Sequence, residues 1–271
     1  MGSAEVGVVA IGSGLTLSYA AQGDPSRTAV VFLPGPTDSW RSYAPVLDQL
    51  PSSMRAIAVS QRGHGDSDKP PNGYGVADFA SDVVPLLDAL GIDEAVLAGH
   101  SGSCPVVRRV ALDHPERVAA LVLEASPTTL RGNPDLDALI HSVVSTLDDP
   151  IDPDFARSFV ADTSSDDLDP ELVDALAAEL VKVPARVWKE TFAGLAQYDD
   201  SAELERIEVP TLLLWGDADR LVTRDMQDVL VACIECAELR VYEGVGHTPR
   251  WEASGRFTSD VTAFAKRCRP R

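Results

Sequence analysis

The sequence predicts an α/β protein: a mostly parallel sheet flanked by helices, with an all-helical insertion. Short apolar runs alternate with longer amphipathic stretches through the first half of the chain, which implies β-α-β units and a sheet covered on both faces. The alternation stops near Pro127 and resumes after Ala202. Between those points no good strand can be found.

Taken in order, the strand candidates are LTLSYAAQG (15–23), AVVFLPG (29–35), RAIAVS (55–60), AVLAGHS (95–101) and VAALVLEAS (118–126). The first strands, within residues 5–23, are placed to pair as an antiparallel edge. Helix-like stretches follow at Tyr43–Leu50, Val76–Leu90 and Cys104–Asp113, the second interrupted by Pro85, where a kink is expected. Helical pieces near 135–147, 153–162, 170–182 and 184–198 are separated by Asp-Pro and Pro junctions, and proline is well tolerated just inside a helix start. PTLLLWGDAD (210–219), a helix near 224–236, LRVYEGVGH (239–247) and a terminal helix near 254–267 complete the pattern. The expected division is a core of residues 1–126 and 203–271 with a helical cap at 127–202.

The chain has 271 residues, enough for one large α/β domain with an insertion. A formal charge of −19 disfavours nucleic acid and anionic membrane surfaces as partners, and no 18-residue apolar run exists to span a bilayer. The opening MGSAEVGVVAIGSG lacks the basic and apolar regions of a signal peptide, so a cytoplasmic protein is expected. Four cysteines are too few for a disulfide scaffold, and Cys233-x-x-Cys236 has no second pair or nearby His, so it reads as two ordinary helical cysteines rather than a metal site. Gly12-Ser13-Gly14 does not continue into a dinucleotide fingerprint.

The chemistry concentrates in three places. Strand AVLAG, then His-Ser-Gly, then a helix puts Ser101 at a strand-to-helix turn, near the positive end of the helix. A nucleophilic Ser needs a base, and the base needs a carboxylate to orient it. WGDADR ends a later strand with Asp217 and Asp219, and EGVGHTPRW ends the next with His247. All three positions follow strands, where an open parallel sheet gathers its functional groups.

FLPGPTDSW (32–40), SQRGHGDSDKP (60–70), GHSGS (99–103), PTLLLWGDAD (210–219) and GVGHTPRWE (244–252) together make the chain resemble the α/β-hydrolase superfamily over essentially its full length. The resemblance implies an α/β-hydrolase fold with Ser101 as nucleophile, His247 as base and Asp219 as orienting acid, and needs no metal or organic cofactor. Glu124, at the end of the strand after the nucleophile helix, is the alternative acid or a group lining the pocket. Asp217 reads as a turn residue.

Two positions depart from the family pattern. The last glycine of G-x-S-x-G is Ser103, a small change. The family's oxyanion hole pairs the N–H of the residue after the nucleophile, here Gly102, with an N–H supplied after a His-Gly pair. In this chain that stretch is Leu33-Pro34-Gly35-Pro36-Thr37, so the donor position falls on Pro36, which has no N–H. Thr37 is the nearest substitute. His100, Trp40, Trp188 and Trp251 are candidates for the wall of a substrate site, and His64 and Arg62 read as structural members of their loop.

The expectation is a serine-dependent hydrolase acting on a small ester or lactone, a monomer or homo-oligomer with a small-molecule substrate. Carbon–carbon bond hydrolysis by the same residues is one alternative. A cofactor-free dehydratase, cyclase or lyase using His247 as base is another, favoured by Pro36. A binding or signalling protein that keeps the fold with little turnover is the third.

Overall fold

The computed structural model describes residues 4–164 and 168–268. In chain order the elements of the first half are β1 (Glu5–Ala10), β2 (Thr16–Gln22), β3 (Ala29–Leu33), α1 (Ala44–Leu47), β4 (Arg55–Val59), α2 (Val76–Ala89), β5 (Ala95–His100), α3 (Cys104–Asp113) and β6 (Val118–Glu124). Then come α4 (Pro134–Ser142), α5 (Pro153–Asp162), α6 (Pro170–Leu180) and α7 (Ala185–Gln197). The chain closes with β7 (Thr211–Gly216), α8 (Arg224–Cys233), β8 (Ala237–Tyr242), α9 (Pro249–Glu252) and α10 (Ser254–Arg267).

The strands form one sheet in the order β1-β2-β4-β3-β5-β6-β7-β8. β1 and β2 pair antiparallel with each other, and β2 with β4; from β4 to β8 every pairing is parallel. The inner parallel strands β3, β5, β6 and β7 are covered on both faces, which is why their sequences read as apolar runs. In β3, Val31 and Leu33 join a core with Val83 and Leu86 of α2 and Val107 and Val110 of α3. Val30 and Phe32 point the other way, to Leu47 of α1 and Phe257, Val261 and Phe264 of α10.

Chain order reverses about β3: β4 lies on one side of it and β5 on the other, with Leu33 in register with Gly99. Open α/β sheets bind ligands at such a switch point, beyond the carboxyl ends of the strands. The loop after β3 and the turn after β5 are therefore neighbours by topology.

Between β6 and β7 the described residues contain no strand. The Asn-Pro and Asp-Pro junctions act there as helix starts. Asn133, Asp152 and Asp169 each accept hydrogen bonds from backbone N–H groups of the first turn that follows, with Pro at the first helical position. Asp149 caps α7 from a distance, accepting from Ala185 N–H at 2.7 Å.

Several expected element ends shift. The stretch expected from Tyr43 becomes a 3-10 turn at Trp40–Tyr43 followed by the single turn of α1. α2 continues unbroken through Pro85. α8 stops at Cys233 because Ile234 turns to extended backbone and buries its side chain, so Cys236 lies outside the helix and exposed, correcting its reading as helical. No helix among the described residues is long and apolar enough to cross a membrane.

Candidate active site

Ser101 follows directly on β5 and has φ +50°. A left-handed serine costs of order 1–3 kcal/mol, and it is held here because the chain must reverse from strand to helix within one short 3-10 turn, Ser101–Ser103. The turn is so tight that a Cβ on Gly99 would lie 2.6 Å from the Ser103 carbonyl oxygen. The result is a hydroxyl raised at the N-terminal end of α3, where the helix favours negative charge.

Ser101 Oγ lies 2.9 Å from His247 Nε2, and His247 Nδ1 lies 2.9 Å from Asp219 Oδ2. A carboxylate can only accept, so Nδ1 carries the ring proton and Nε2 accepts from the serine hydroxyl. Asp219 is itself fixed: its side chain is fully buried, and Oδ1 accepts from Leu221 and Val222 N–H at 2.8 and 3.0 Å. Asp217 Oδ1 accepts from Gly244 N–H at 2.7 Å, closing the turns beyond β7 and β8. His247 stands five residues past the last residue of β8, so its placement depends on loop contacts.

His100 supplies one of them. Its Nε2–H donates to the His247 carbonyl at 3.0 Å, and burial, reinforced by Arg250 and His247, pushes its pKa well below the usual histidine value. The neutral ring presses on the loop after β3, where a Cβ on Gly35 would come within 2.5 Å of His100 Nδ1.

The loop after β3 is a tight turn. Asp38 N–H donates to the Gly35 carbonyl at 3.2 Å, and Thr37 has φ +73°. Proline at the second place and a positive φ at the third make a type II turn, in which glycine is the usual third residue. Pro36 lies against the nucleophile turn, where a Cβ on Gly102 would meet Pro36 Cγ at 2.8 Å. The two oxyanion positions thus face each other, and one of them offers no N–H. Ser103 also meets Pro34, which stands where the family has its histidine: Ser103 Oγ–H donates to the Pro34 carbonyl, and Gln61 Nε2 donates to both Ser103 Oγ and the Pro34 carbonyl, at 2.8 and 3.1 Å.

Glu124 is neither beside the imidazole nitrogens nor at the wall of a cavity, which corrects its place among the candidate acids and substrate contacts. It is buried under the histidine loop, where Oε1 accepts from Arg250 N–H at 2.9 Å and Oε2 from the Tyr43 hydroxyl at 3.2 Å. The Arg250 side chain is completely buried and reaches Ser42 Oγ at 2.8 Å, Asp38 Oδ2 at 2.8 Å and Glu124 Oε1 at 3.4 Å. Its guanidinium also stacks 4.2 Å from the Trp251 ring centroid. Burial raises the pKa of both Asp38 and Glu124, opposed by Arg250. Sequence reasoning missed this cluster; the signal was Arg250 itself, a charge set between Pro249 and Trp251 just after the candidate base.

A cavity of about 350 Å³ opens above Ser101. Its floor includes Gly35, Pro36, His100, Ser101, His247 and Trp251, and its roof is Leu139, Val143, Phe155, Phe159, Leu180 and Phe192 from the helices between β6 and β7. Trp251 and His100 line the wall; Trp40 and Trp188 do not. Trp188 is fully buried behind the roof, packed on Phe159, Phe155 and Phe192 at centroid distances of 5.0, 5.7 and 6.1 Å. Trp40 is buried beneath the Arg41 guanidinium, 4.6 Å from its ring centroid. Arg62 pairs with Asp82 at 2.6 Å, and His64 Nδ1–H donates to the Arg62 carbonyl at 2.8 Å, so both brace their own loop. Among the described residues no group of three His, Cys, Asp or Glu side chains could hold a metal ion.

Residues 28–254 match the family described as alpha/beta hydrolase fold. A non-heme chloroperoxidase of Streptomyces lividans is 29% identical, with 96% of this chain and 100% of that protein covered. A 3-oxoadipate enol-lactonase 2 of Acinetobacter baylyi is 26% identical, over 93% of this chain and 94% of that protein. Among solved structures, an esterase from Rhodococcus sp. ECU1013 matches with a TM-score of 0.83 at 26% identity, covering 97% of this chain and 99% of that one.

Proposed function

The chain belongs to the α/β-hydrolase family, by its match over residues 28–254, and from that premise we propose that it is a serine hydrolase cleaving a small ester or lactone through an acyl-enzyme on Ser101. The observation that carries the reading is the unbroken relay from Ser101 Oγ through His247 to Asp219, two contacts of 2.9 Å each. An esterase and a lactonase among the similar proteins point the same way.

In this reading His247 Nε2 takes the hydroxyl proton as Ser101 attacks the acyl carbon. Asp219 holds the imidazole in the required tautomer and balances the imidazolium that forms. Gly102 N–H, at the positive end of α3, stabilises the developing oxyanion, and Thr37 N–H, next along from Pro36, is the second donor. The imidazolium protonates the leaving alcohol, and water then hydrolyses the acyl-enzyme by the same steps in reverse. Residues 127–202 act as a cap that excludes bulk water, over a core formed by residues 1–126 and 203–271.

A fluorophosphonate probe tests this directly. Wild type should label, and folded Ser101→Ala and His247→Ala should not, with ester turnover in each variant reduced by at least ~10³-fold. Unlabelled, folded wild type would sink the acyl-enzyme reading.

A second reading rests on Pro36. Losing one oxyanion donor costs on the order of 100- to 1000-fold in turnover. If Thr37 does not replace it, His247 is the base of a cofactor-free dehydratase, cyclase or lyase, and turnover survives in Ser101→Ala. Carbon–carbon bond hydrolysis would use the same relay and is separated by its products.

A further inference from the structure

The cavity over Ser101 has an apolar roof and a short list of charges. Asp38, Asp162 and Arg250 border it, together with Ser158, Thr163 and Thr248. Arg250 is the lone Lys or Arg among the described residues at its wall. That guanidinium exposes none of its side chain and already serves two carboxylates, Asp38 and Glu124. A ligand carboxylate would therefore meet no available counter-ion among the described residues. It would enter past exposed Asp162 at the rim and lie above a site in which carboxylates outnumber the cation.

Resting on the serine-hydrolase reading, we infer that this site takes uncharged, apolar acyl groups and excludes substrates that carry a carboxylate on the acyl chain. The physical reason is desolvation. An anion taken into an apolar cavity loses its hydration, and only a fixed cation or several donors could replace it. Hydrophobic acyl chains lose nothing of the kind and cover Leu139, Val143, Phe155, Phe159, Leu180 and Phe192. At about 350 Å³ the cavity is at the small end of the range for ligand pockets, roughly 300–1,000 Å³, which suits a compact ester.

The test is a matched pair, phenyl hexanoate and phenyl hydrogen adipate, which differ in the carboxylate at the far end of the acyl chain. Turnover by wild type is followed by phenol release at pH 7, and binding to folded Ser101→Ala by calorimetry. The expected result is a kcat/KM at least 100-fold higher for the hexanoate, with the hexanoate alone bound by the variant. Asp162→Lys, which places a cation at the rim, should raise kcat/KM for the adipate half-ester relative to the hexanoate at least fivefold. If neither ester is cleaved but the variant still binds only the hexanoate, the hydrolase reading fails and the charge selection stands. Equal or preferred cleavage or binding of the adipate half-ester overturns the inference, as does a variant that binds neither. An unchanged ratio in Asp162→Lys would remove the rim charge from the explanation.

Discussion

Among the described residues two arginines are buried without any exposed side chain, Arg108 and Arg250, and they hold different parts of the molecule. Arg108 extends from α3 to both ends of the inserted helices. It grips Asp200 with two hydrogen bonds of 2.7 and 2.9 Å, and its remaining N–H groups go to Ser126 Oγ and to the Pro127 and Thr128 carbonyls. Arg250 lies under the histidine loop and answers two carboxylates and a hydroxyl. One cation with one carboxylate and neutral acceptors is electrically closed; one cation with two carboxylates leaves a surplus of negative charge beside the candidate active site. Burying charge is costly in both places, so position rather than net stability is what each cluster secures.

That difference is open to test. Arg250→Met orphans two buried carboxylates and should cost about 5 kcal/mol, read from urea unfolding at pH 8. Arg108→Met orphans one and should cost about 3 kcal/mol, with hydrogen exchange quickening first near residues 126–128 and 198–200. Adding Asp200→Leu to Arg108→Met should restore stability to within about 1 kcal/mol, because the pair is removed together. No single second substitution should do so for Arg250. If one does, the two clusters are alike and the comparison fails.

The acid limb of the stability profile should come from a buried histidine. Burial holds His64 at a pKa of about 4, against 6.5 for an unperturbed histidine, with Nδ1–H on the Arg62 carbonyl and Nε2 facing no partner. Between those values the unfolded chain binds the proton and the native state does not. Stability therefore rises with pH across the window and is lost on acidification, by about 3 kcal/mol in all. His64→Asn should flatten that limb in a pH series of urea midpoints; an unchanged limb would clear His64, and the carboxylates around Arg250 could not take its place. Those act with the opposite sign, since Asp38 and Glu124 have raised pKa values and bind protons more readily in the folded state.

The smallest effect lies next to Asp38. Thr37→Gly relieves a β-branched residue at φ +73° and should raise stability by about 1 kcal/mol. It keeps the backbone N–H and deletes the hydroxyl, so fluorophosphonate labelling should persist if the N–H is the second oxyanion donor and collapse if the hydroxyl is.

The sheet was legible because strands covered on both faces are written as apolar runs that need no partner to be recognised. Element ends were less so: α8 stops where Ile234 finds the core, a tertiary event with no local mark. Ser101, Asp219 and His247 stood out by motif and order along the chain, and the fold brings their side chains within hydrogen-bonding distance. The arginine clusters did not stand out, because Arg108 and Asp200 are 92 positions apart and Arg250 and Asp38 are 212 apart. Trp188 was misplaced for a related reason. An aromatic residue on an amphipathic helix points to a buried face, and the sequence does not say whether that face meets a cavity or other side chains.

The contact between Ser103 and Pro34 has a consequence for anyone redesigning this enzyme. Each residue alone looks like a tolerated lapse from the family pattern, to be repaired by restoring the usual glycine or histidine. Joined through Gln61, they form one hydrogen-bonded unit. Reverting Ser103 strips a partner from the Pro34 carbonyl, and reverting Pro34 brings an imidazole into a loop already pressed against His100. Their mutational effects should be epistatic, and the route back to the common pattern passes through a double change.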